Sequence, residues 1–472
     1  MLWAVARASL QTIIGDESDT YVLYVARACC THWMPSANNH VLNTMLMRLF
    51  TDLFGASHLT VRMPALIGAA FYVGAAHRLV RWLTEEKLAQ WIIFACLVLN
   101  PFVFDYLVAA RGYGMASAFL LCAIVAAATS QNTVRGAAWM SAFLGLSFAA
   151  NFSFAIIDTL AFVLLSAWLF ARSESKVRTL TGALLPGLSV TLLLSAWNLL
   201  NWPKDQLGDG VESMGELLRS VLQSTLYQVN PALISPLLMH TVTRFGRLGL
   251  TALAILAVVR IAFLLRNRTS AYRPLKTMAA LIGTAIGLAL IGHWLLFRLY
   301  HVLLPHDRTA LWLAVLCTLL AGTLAAIPAI TALDGWCRRG LLATLGILAL
   351  YFVACLRLTY FREWEWGAEA KEAYWTIAYY NHTRCIDDVA SSWLYIGSLN
   401  YYRTVSGRES FGFFNDVKPY PEDRAVYVLH SELDHEFMEK EKLKVVFHGR
   451  RTQIVVAVRP DLLEAKTCTP RP

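Results

Sequence analysis

Residues 111–129 read RGYGMASAFLLCAIVAAAT, an arginine and a tyrosine followed by an almost unbroken apolar run. A helix of about 20 such residues spans the roughly 30 Å of hydrocarbon in a bilayer. Similar runs recur along the chain, and 57% of its 472 residues are hydrophobic whereas 15% are charged. The mean hydropathy of +0.49 exceeds what a water-soluble domain needs for its core. The sequence therefore predicts an integral membrane protein.

Ten apolar spans are predicted, with ends placed to within about 2–4 residues. They cover residues 60–80, 88–105, 111–129, 134–150, 152–171, 178–200, 247–265, 276–299, 310–332 and 340–358. Residues 1–14 are apolar but are interrupted by Arg7 and are too short to span. We interpret them as part of a clipped first helix, since a cleavable signal peptide fits poorly, so about 10–11 transmembrane helices are expected.

The basic residues fall in alternate connections between the spans, which the positive-inside rule assigns to the cytoplasm. They are Arg78, Arg81, Lys87, Arg135, Arg172, Lys176, Arg178, Arg266, Arg268, Arg273, Lys276, Arg338 and Arg339. This placement accounts for the net charge of +9 without a nucleic-acid partner. The outward side then holds residues 15–59, the turn at 100–111, the loops at 201–246 and 300–308, and the chain after about 359.

Two outward segments carry leucines at helical spacing, within 42–53 and within 217–226, and both are predicted to be helices lying in the membrane interface or packing on the bundle. After residue 359 the composition becomes more charged, and β-prone runs occur at 425–430, 445–448 and 454–458. A helix is expected around 364–375, and a strand at 391–395 leads into another helix. We predict a transmembrane catalytic domain at 1–358, with its first outward loop at 15–59, and a small extracytoplasmic α/β domain at 359–472.

Polar groups suited to group transfer occur in the outward loops. Asp16 and Glu17 are adjacent acids that can remove a proton from an acceptor hydroxyl. Arg111 and Arg308 can hold a phosphate, and His40 lies in the same predicted face. The structural alternative is that the acids form a helix cap or a solvated loop, which is the usual role of a lone loop carboxylate.

The chain has no GxxxxGK[ST] phosphate loop, no GxGxxG and no DxD pair, so a soluble nucleotide-sugar donor is not predicted. A sugar carried on a lipid monophosphate suits the residues better, because arginine and histidine stabilise a departing phosphate without a metal. The nine cysteines include no CxxC, and we assign no metal site to them or to His293, His301 and His306. Cys385 and Cys468 are candidates for a disulfide in the C-terminal domain.

A family resemblance rests on the order of several motifs. They are Gly15-Asp16-Glu17 with Tyr21 and Arg27, Asn39-His40, Phe54-Gly55, Arg62-Met63-Pro64, Asn100-Pro101, Ala110-Arg111-Gly112-Tyr113 and Pro305-His306-Asp307-Arg308-Thr309. This order resembles the GT-C membrane glycosyltransferases, best over residues 15–120. The likeness is to the polyprenyl-phosphate-sugar-dependent bacterial members, which are similar to protein O-mannosyltransferases and to the aminoarabinose transferase of lipid A.

The resemblance implies a base role for Asp16, with Glu17 supporting or substituting, and phosphate or substrate contacts for Arg111 and Arg308. Further substrate-binding candidates are Asn39, His40, Asp105, Tyr113 and His306. Many relatives read Glu-Ala-Arg where this chain has Ala109-Ala110-Arg111, so Asp105 is the candidate replacement for that carboxylate.

The implied function is inverting transfer of a sugar from a polyprenyl phosphate to a hydroxyl of a lipid, glycan or protein, at the outer face of the bacterial cytoplasmic membrane, with no required cofactor. A lipid or sugar transporter or flippase is the alternative class, and a membrane scaffold is a weaker one. A transporter is expected to show repeated halves and polar groups within its spans. Here no internal repeat is visible, and most of the acids and cations lie outside the spans.

Overall fold

The computed structural model describes residues 1–26, 33–203, 206, 209–227, 236–266, 272–407, 412–415 and 418–465. Arg27, Arg268 and Cys468 lie outside these ranges, as do parts of the 201–246 loop. Cys385 is disulfide-bonded, and its predicted pairing with Cys468 stays a prediction.

Within the described residues, seven helices are long and apolar enough to cross a membrane. They are His58–Leu83, Phe152–Arg172, Lys176–Asn201, Arg244–Arg266, Arg273–Tyr300, Asp307–Ala326 and Ala332–Cys355. Lys87–Leu99 and Tyr113–Thr129 are shorter apolar helices, and Thr133–Ala150 is a further helix. Each of the ten predicted spans therefore contains a helix, and the polytopic helical class is confirmed.

The remaining elements have at most 15 residues. The helices are Leu2–Leu10, Gly15–Asp19 continued by the π-helix Thr20–Val25, Val41–Phe54, Pro101–Tyr106, Met214–Thr225, Ala370–Arg384, Trp393–Val405, His435–Lys440 and Pro460–Ala465. The 3₁₀ turns include Phe152–Phe154, Asp307–Ala310 and Glu365–Gly367. The helices expected within 42–53 and 217–226 are thus present.

Proline sets two boundaries that differ from the predicted spans. The predicted span at 88–105 is broken because Asn100 is extended and Pro101 starts a new helix, with the Asn100 side chain accepting a hydrogen bond from the Phe102 amide at 3.1 Å. The predicted span at 310–332 ends early, at Ala326, because Pro328 lacks an amide hydrogen and disfavours the helical conformation at Ile327, which is extended. The next helix starts near Thr331, whose hydroxyl caps the Asp334 amide at 3.2 Å.

The chain divides into two compact units. One consists of Pro35–Asn43 and Pro64–Arg357, together with Met1. The other consists of Leu2–Met34, Thr44–Met63 and Leu358–Pro472. The division at Leu358 falls at the predicted domain boundary, but the second unit also contains most of the N-terminal 63 residues, which the sequence had placed with the membrane domain.

The second unit contains a four-stranded sheet in the order Val389–Ser391, Val426–His430, Ile454–Val458, Lys444–His448. The first pair is parallel and the other pairs are antiparallel. The two central strands are apolar and buried, so the predicted α/β character is confirmed. The strand expected at 391–395 ends at Ser391 and the helix starts at Trp393; the helix expected at 364–375 runs from Ala370 to Arg384.

Candidate active site

The acid pair lies in the first turn of the helix that starts at Gly15, directly after the extended residue Ile14. The positive end of the helix dipole favours carboxylates at this position. The two acids differ in exposure, because adjacent helical residues point about 100° apart. Asp16 is partly exposed, whereas Glu17 is fully buried.

Glu17 forms a buried ion pair with Arg62. Arg62 donates from Nε to Oε1 at 2.9 Å and from Nη2 to Oε2 at 2.6 Å. The same guanidinium donates to the carbonyls of Ala8, Gln11 and Thr12 at 2.7–3.1 Å. Glu17 thus balances the charge of Arg62, and Arg62 in turn binds the backbone of residues 8–12. A base must reach an acceptor hydroxyl, so we favour Asp16 over Glu17 for that role.

In the other unit, a turn follows Tyr106 and ends at Gly112. Any other residue at position 112 would force the neighbouring backbone to move. Gly112 has φ +76°, and a Cβ there would stand 2.0 Å from the carbonyl oxygen of Ala150. The turn presents Arg111, which is 1% exposed and donates to the Asn38 side-chain oxygen. The Asn43 amide donates to the Ala110 carbonyl at 2.9 Å, so residues 38–43 are fastened to the turn.

Asn151 joins this turn to His40. Its Nδ2 donates to the Arg111 carbonyl at 3.1 Å and lies 3.3 Å from His40 Nε2. The imidazole packs edge-on against the Tyr113 ring, with centroids 5.5 Å apart. The sequence-predicted residues His40, Arg111 and Tyr113 are therefore neighbours.

Burial lowers the pKa of His40 well below its usual value, and the positive charges of Arg111 and then Arg308 lower it further. The imidazole is therefore neutral near pH 7. Since both guanidinium groups act on one ring, Arg308 belongs to the same cluster. His40 Nδ1 is buried and makes no hydrogen bond within the described ranges. We call His40, Arg111 and Arg308 the cationic cluster.

Arg308 is placed by a short 3₁₀ turn, Asp307–Ala310. The turn is fastened to the amphipathic helix Met214–Thr225: the Asp307 amide donates to Ser220 Oγ at 3.0 Å, and Ser224 Oγ donates to Asp307 Oδ1 at 2.9 Å. Arg308 Nη2 lies 3.5 Å from an Asp209 oxygen. His306 Nε2 lies 3.7 Å from the other oxygen, so His306 and Arg308 share this carboxylate.

The other two candidates have structural neighbours. Asn39 is buried, and its carbonyl accepts a hydrogen bond from Asn198 Nδ2 at 3.1 Å. Asp105 is buried and accepts a hydrogen bond from the Tyr227 hydroxyl. Tyr227 in turn accepts at its carbonyl from the Tyr351 hydroxyl. Substrate contacts for Asn39 and Asp105 stay predictions.

Three residues with clear roles were missed or left undecided. Asn38 and Asn151 bind the Arg111 region, and Arg62, identified from the sequence only as part of a family motif, neutralises Glu17. A signal existed for Asn151, a lone amide between two apolar spans, since buried polar groups in a bundle need partners. Among the described residues, no group of three or more His, Cys, Asp or Glu is placed to hold a metal ion.

These features define a polytopic membrane protein with a cationic cluster in one unit and an acid pair in the other. No family model and no curated protein matches the chain.

Two similar solved structures are crystal structures of ArnT from Cupriavidus metallidurans. The apo form is 16% identical, with 98% of this chain and 96% of that chain covered, and the TM-score is 0.46. The form bound to undecaprenyl phosphate is 14% identical, with 98% and 97% covered and a TM-score of 0.45. Because both scores are below 0.5, we argue the function from the residues of this chain.

Proposed function

We propose that this chain is a GT-C membrane glycosyltransferase that moves a sugar from a polyprenyl-phosphate donor to an acceptor hydroxyl. The observation that carries the proposal is the cationic cluster, in which Asn151 ties the buried imidazole of His40 to the Arg111 turn and the charges of Arg111 and Arg308 both lower the imidazole pKa. Two arginines together offer the fixed donors that suit a phosphate. A neutral His40 adds a hydrogen-bond donor without adding repulsion between like charges.

A lipid-borne donor suits this cluster better than a soluble one. The cluster belongs to the unit that contains most of the membrane-spanning helices, where an amphiphilic donor arrives by lateral diffusion. A nucleotide donor would need a phosphate loop or a metal-binding acid pair, and the sequence contains neither motif. The resemblance of the motif order to polyprenyl-phosphate-dependent enzymes supports the same donor.

The reaction we propose is a single displacement with inversion. The acceptor oxygen bonds to the anomeric carbon as the bond from that carbon to the phosphate oxygen breaks. Asp16 takes the hydroxyl proton, and the phosphate leaves with the electron pair and is stabilised by Arg111 and Arg308. General-base assistance contributes about 10²- to 10⁴-fold, and preorganised cations contribute a comparable factor.

We also propose that the reaction takes place on the outer face of a bacterial cytoplasmic membrane. This assignment is supported by the alternation of basic loops, which puts residues 15–59 and the turn at 100–111 on the side opposite to the cytoplasm.

The test is reconstitution of the full chain in vesicles of total bacterial envelope lipid, with a panel of undecaprenyl-phosphate hexoses and pentoses. Asp16→Asn should lower sugar release at least about 10²-fold while binding of undecaprenyl phosphate is kept. Asp19→Asn, in the same short helix, is the matched control and should retain activity.

The phosphate role is tested in the same vesicles. Arg308→Gln and Arg111→Lys should weaken binding of undecaprenyl phosphate, whereas Arg219→Gln, an exposed cation, should not. Full turnover by Asp16→Asn would overturn the base assignment. Movement of the labelled donor across the vesicle without sugar release would favour the flippase instead.

A further inference from the structure

We propose that the helix Trp393–Val405 is the element that positions Asp16, and that Gly397 and Tyr402 are its positioning residues. This inference rests on the proposed base role of Asp16. The sequence did not reveal a function for the C-terminal part of the chain. Under this proposal, its role is to position the catalytic carboxylate.

One close approach is between two glycines of the same unit. A Cβ at Gly397 would stand 2.8 Å from Gly15 Cα and 3.0 Å from the Gly15 carbonyl oxygen. Gly15 directly precedes Asp16. On the other side of the acid pair, the Ser18 hydroxyl donates to the Gly397 carbonyl. Residue 397 therefore contacts the Gly15 backbone on one side of Asp16 and Glu17 and the Ser18 side chain on the other.

A second contact lies just before the acid turn. The Ile13 amide donates to the Tyr402 hydroxyl at 3.1 Å, and the same hydroxyl is hydrogen-bonded to His58 Nε2 at 3.0 Å. The Ser398 hydroxyl donates to the Ile13 carbonyl at 2.8 Å. Both peptide groups of Ile13 are thus held by this helix, and the helix that carries Asp16 begins two residues later.

Local helix preference and packing disagree at residue 397. Glycine is a weaker helix former than alanine in the middle of a helix. Here alanine has no room, because its side chain would meet Gly15 backbone rather than a flexible side chain. Such a conflict between local preference and the fold is typical of functional sites. A misplacement of about 1 Å in a catalytic group can cost about 10²-fold in rate. A shift of Gly15 should therefore move the Asp16 carboxylate and lower the rate.

The experiment compares variants in the full chain in the vesicle assay with undecaprenyl-phosphate sugars. Gly397→Ala and Tyr402→Phe should lower kcat about 10- to 100-fold while the KM for the donor and the binding of undecaprenyl phosphate stay within twofold. Gly412→Ala is the control for the first, since a Cβ there would meet nothing within 4 Å. Tyr374→Phe, whose hydroxyl contacts Ser406, is the control for the second.

Two further measurements separate positioning from general stability. In an Asp16→Asn background, Gly397→Ala should lower the residual rate by less than twofold, because its effect acts through Asp16. Amide hydrogen exchange at residues 13–18 should rise in Tyr402→Phe and not in Tyr374→Phe, whatever the activity.

Equal losses from Gly397→Ala with and without Asp16, or unchanged exchange at 13–18 in Tyr402→Phe, would overturn the positioning role. If Asp16→Asn abolishes transfer while both variants remain fully active, the proposed function stands and the positioning role fails. If Asp16→Asn itself turns over normally, both fail.

Discussion

His40 is a buried imidazole whose pKa is lowered by burial and by the charges of Arg111 and Arg308. The stability of the folded protein should therefore fall in acid, because only the unfolded chain takes up a proton at this residue. Its folded pKa is lowered far below the unfolded value of about 6.5. As the pH falls through 6.5, the unfolded chain binds a proton there and the folded chain does not, so folding loses up to about 1.4 kcal/mol per pH unit until the folded pKa is reached.

We therefore expect His40→Gln to reduce the loss of stability between pH 8 and pH 5.5 by about 1 kcal/mol, measured as a smaller fall in Tm in detergent. His435→Gln, whose side chain is 61% exposed, is the control and should leave the pH dependence unchanged. An identical pH dependence in wild type and His40→Gln would show that this imidazole is not shielded from protons in the folded protein.

The two acids of the pair should respond differently to loss of charge. Glu17→Gln leaves the fully buried Arg62 without its carboxylate, and breaking such a pair costs about 3–5 kcal/mol. Asp52→Asn removes an exposed pair with Arg48 at 3.4 Å and should cost about 0.5 kcal/mol or less. Thermal unfolding checks both. A Tm for Glu17→Gln equal to that of Asp52→Asn would contradict a structural role for Glu17.

Sequence reasoning found the acid pair but could not rank its members. Adjacent carboxylates look equivalent in a sequence, and the difference arises because Glu17 is buried and paired with Arg62, 45 residues away. Likewise, His40 and Arg111 were both candidates, but the amide that joins them, Asn151, lies 111 residues from His40. Local patterns indicate which groups are chemically able to act, whereas partners distant in the chain decide which groups are held in buried structural contacts.

At the scale of elements, substitutions at Gly112 test whether this turn holds His40 and Arg111 in place. Gly112→Ala combines a left-handed φ of +76° with a clash against the Ala150 carbonyl, and the added carbon would also stand 3.3 Å from His40 Cβ. Gly55 has the same φ of +76° with open space around it. Gly55→Ala should cost about 1–2 kcal/mol from backbone strain alone.

Gly112→Ala should lower Tm further than Gly55→Ala and should also weaken binding of undecaprenyl phosphate, because Arg111 and His40 both move. Binding is compared by titration of each variant in the same detergent. Equal Tm shifts and equal affinities for the two variants would mean that the close approach at Gly112 does not hold the cluster.

The helices themselves were largely predictable, because apolar length and proline act locally. Asn100-Pro101 and Pro328 end helices for reasons visible in the sequence, although the predicted spans ran through both. The Asp105 contact was not predictable in this way. Its partner Tyr227 lies 122 residues further along the chain, after a helix whose packing no local pattern specifies.

At the scale of the whole molecule, the chain was expected to form a membrane domain followed by a separate C-terminal domain. The composition changes near residue 358, where the chain also divides into two compact units. No such change marks residues 2–34 and 44–63, which belong to the C-terminal unit. Those segments are apolar and precede the spans, and only side-chain contacts such as that of Arg7 with the Tyr360 carbonyl, at 3.1 Å, show where they belong.

Phe361 offers a test of this discontinuous unit. Its ring is 1% exposed and lies under two guanidinium groups, with Arg7 Cζ at 5.1 Å and Arg62 Cζ at 5.2 Å from its centroid. Phe361→Ala should cost about 3–5 kcal/mol, because it removes a buried ring and the faces of two cation–π contacts. Phe413, which is 41% exposed and lies 5.9 Å from Arg403 Cζ, provides the control Phe413→Ala.

The informative measurement is amide hydrogen exchange rather than Tm alone. If the N-terminal and C-terminal segments unfold as one unit, Phe361→Ala should raise exchange in residues 2–10 and 58–63 together with the sheet, although these segments are about 300 residues apart in the chain. Phe413→Ala should leave residues 2–10 unchanged. Faster exchange confined to residues 358–465 in Phe361→Ala would mean that the C-terminal part opens alone and that the N-terminal segments are stabilised by other contacts.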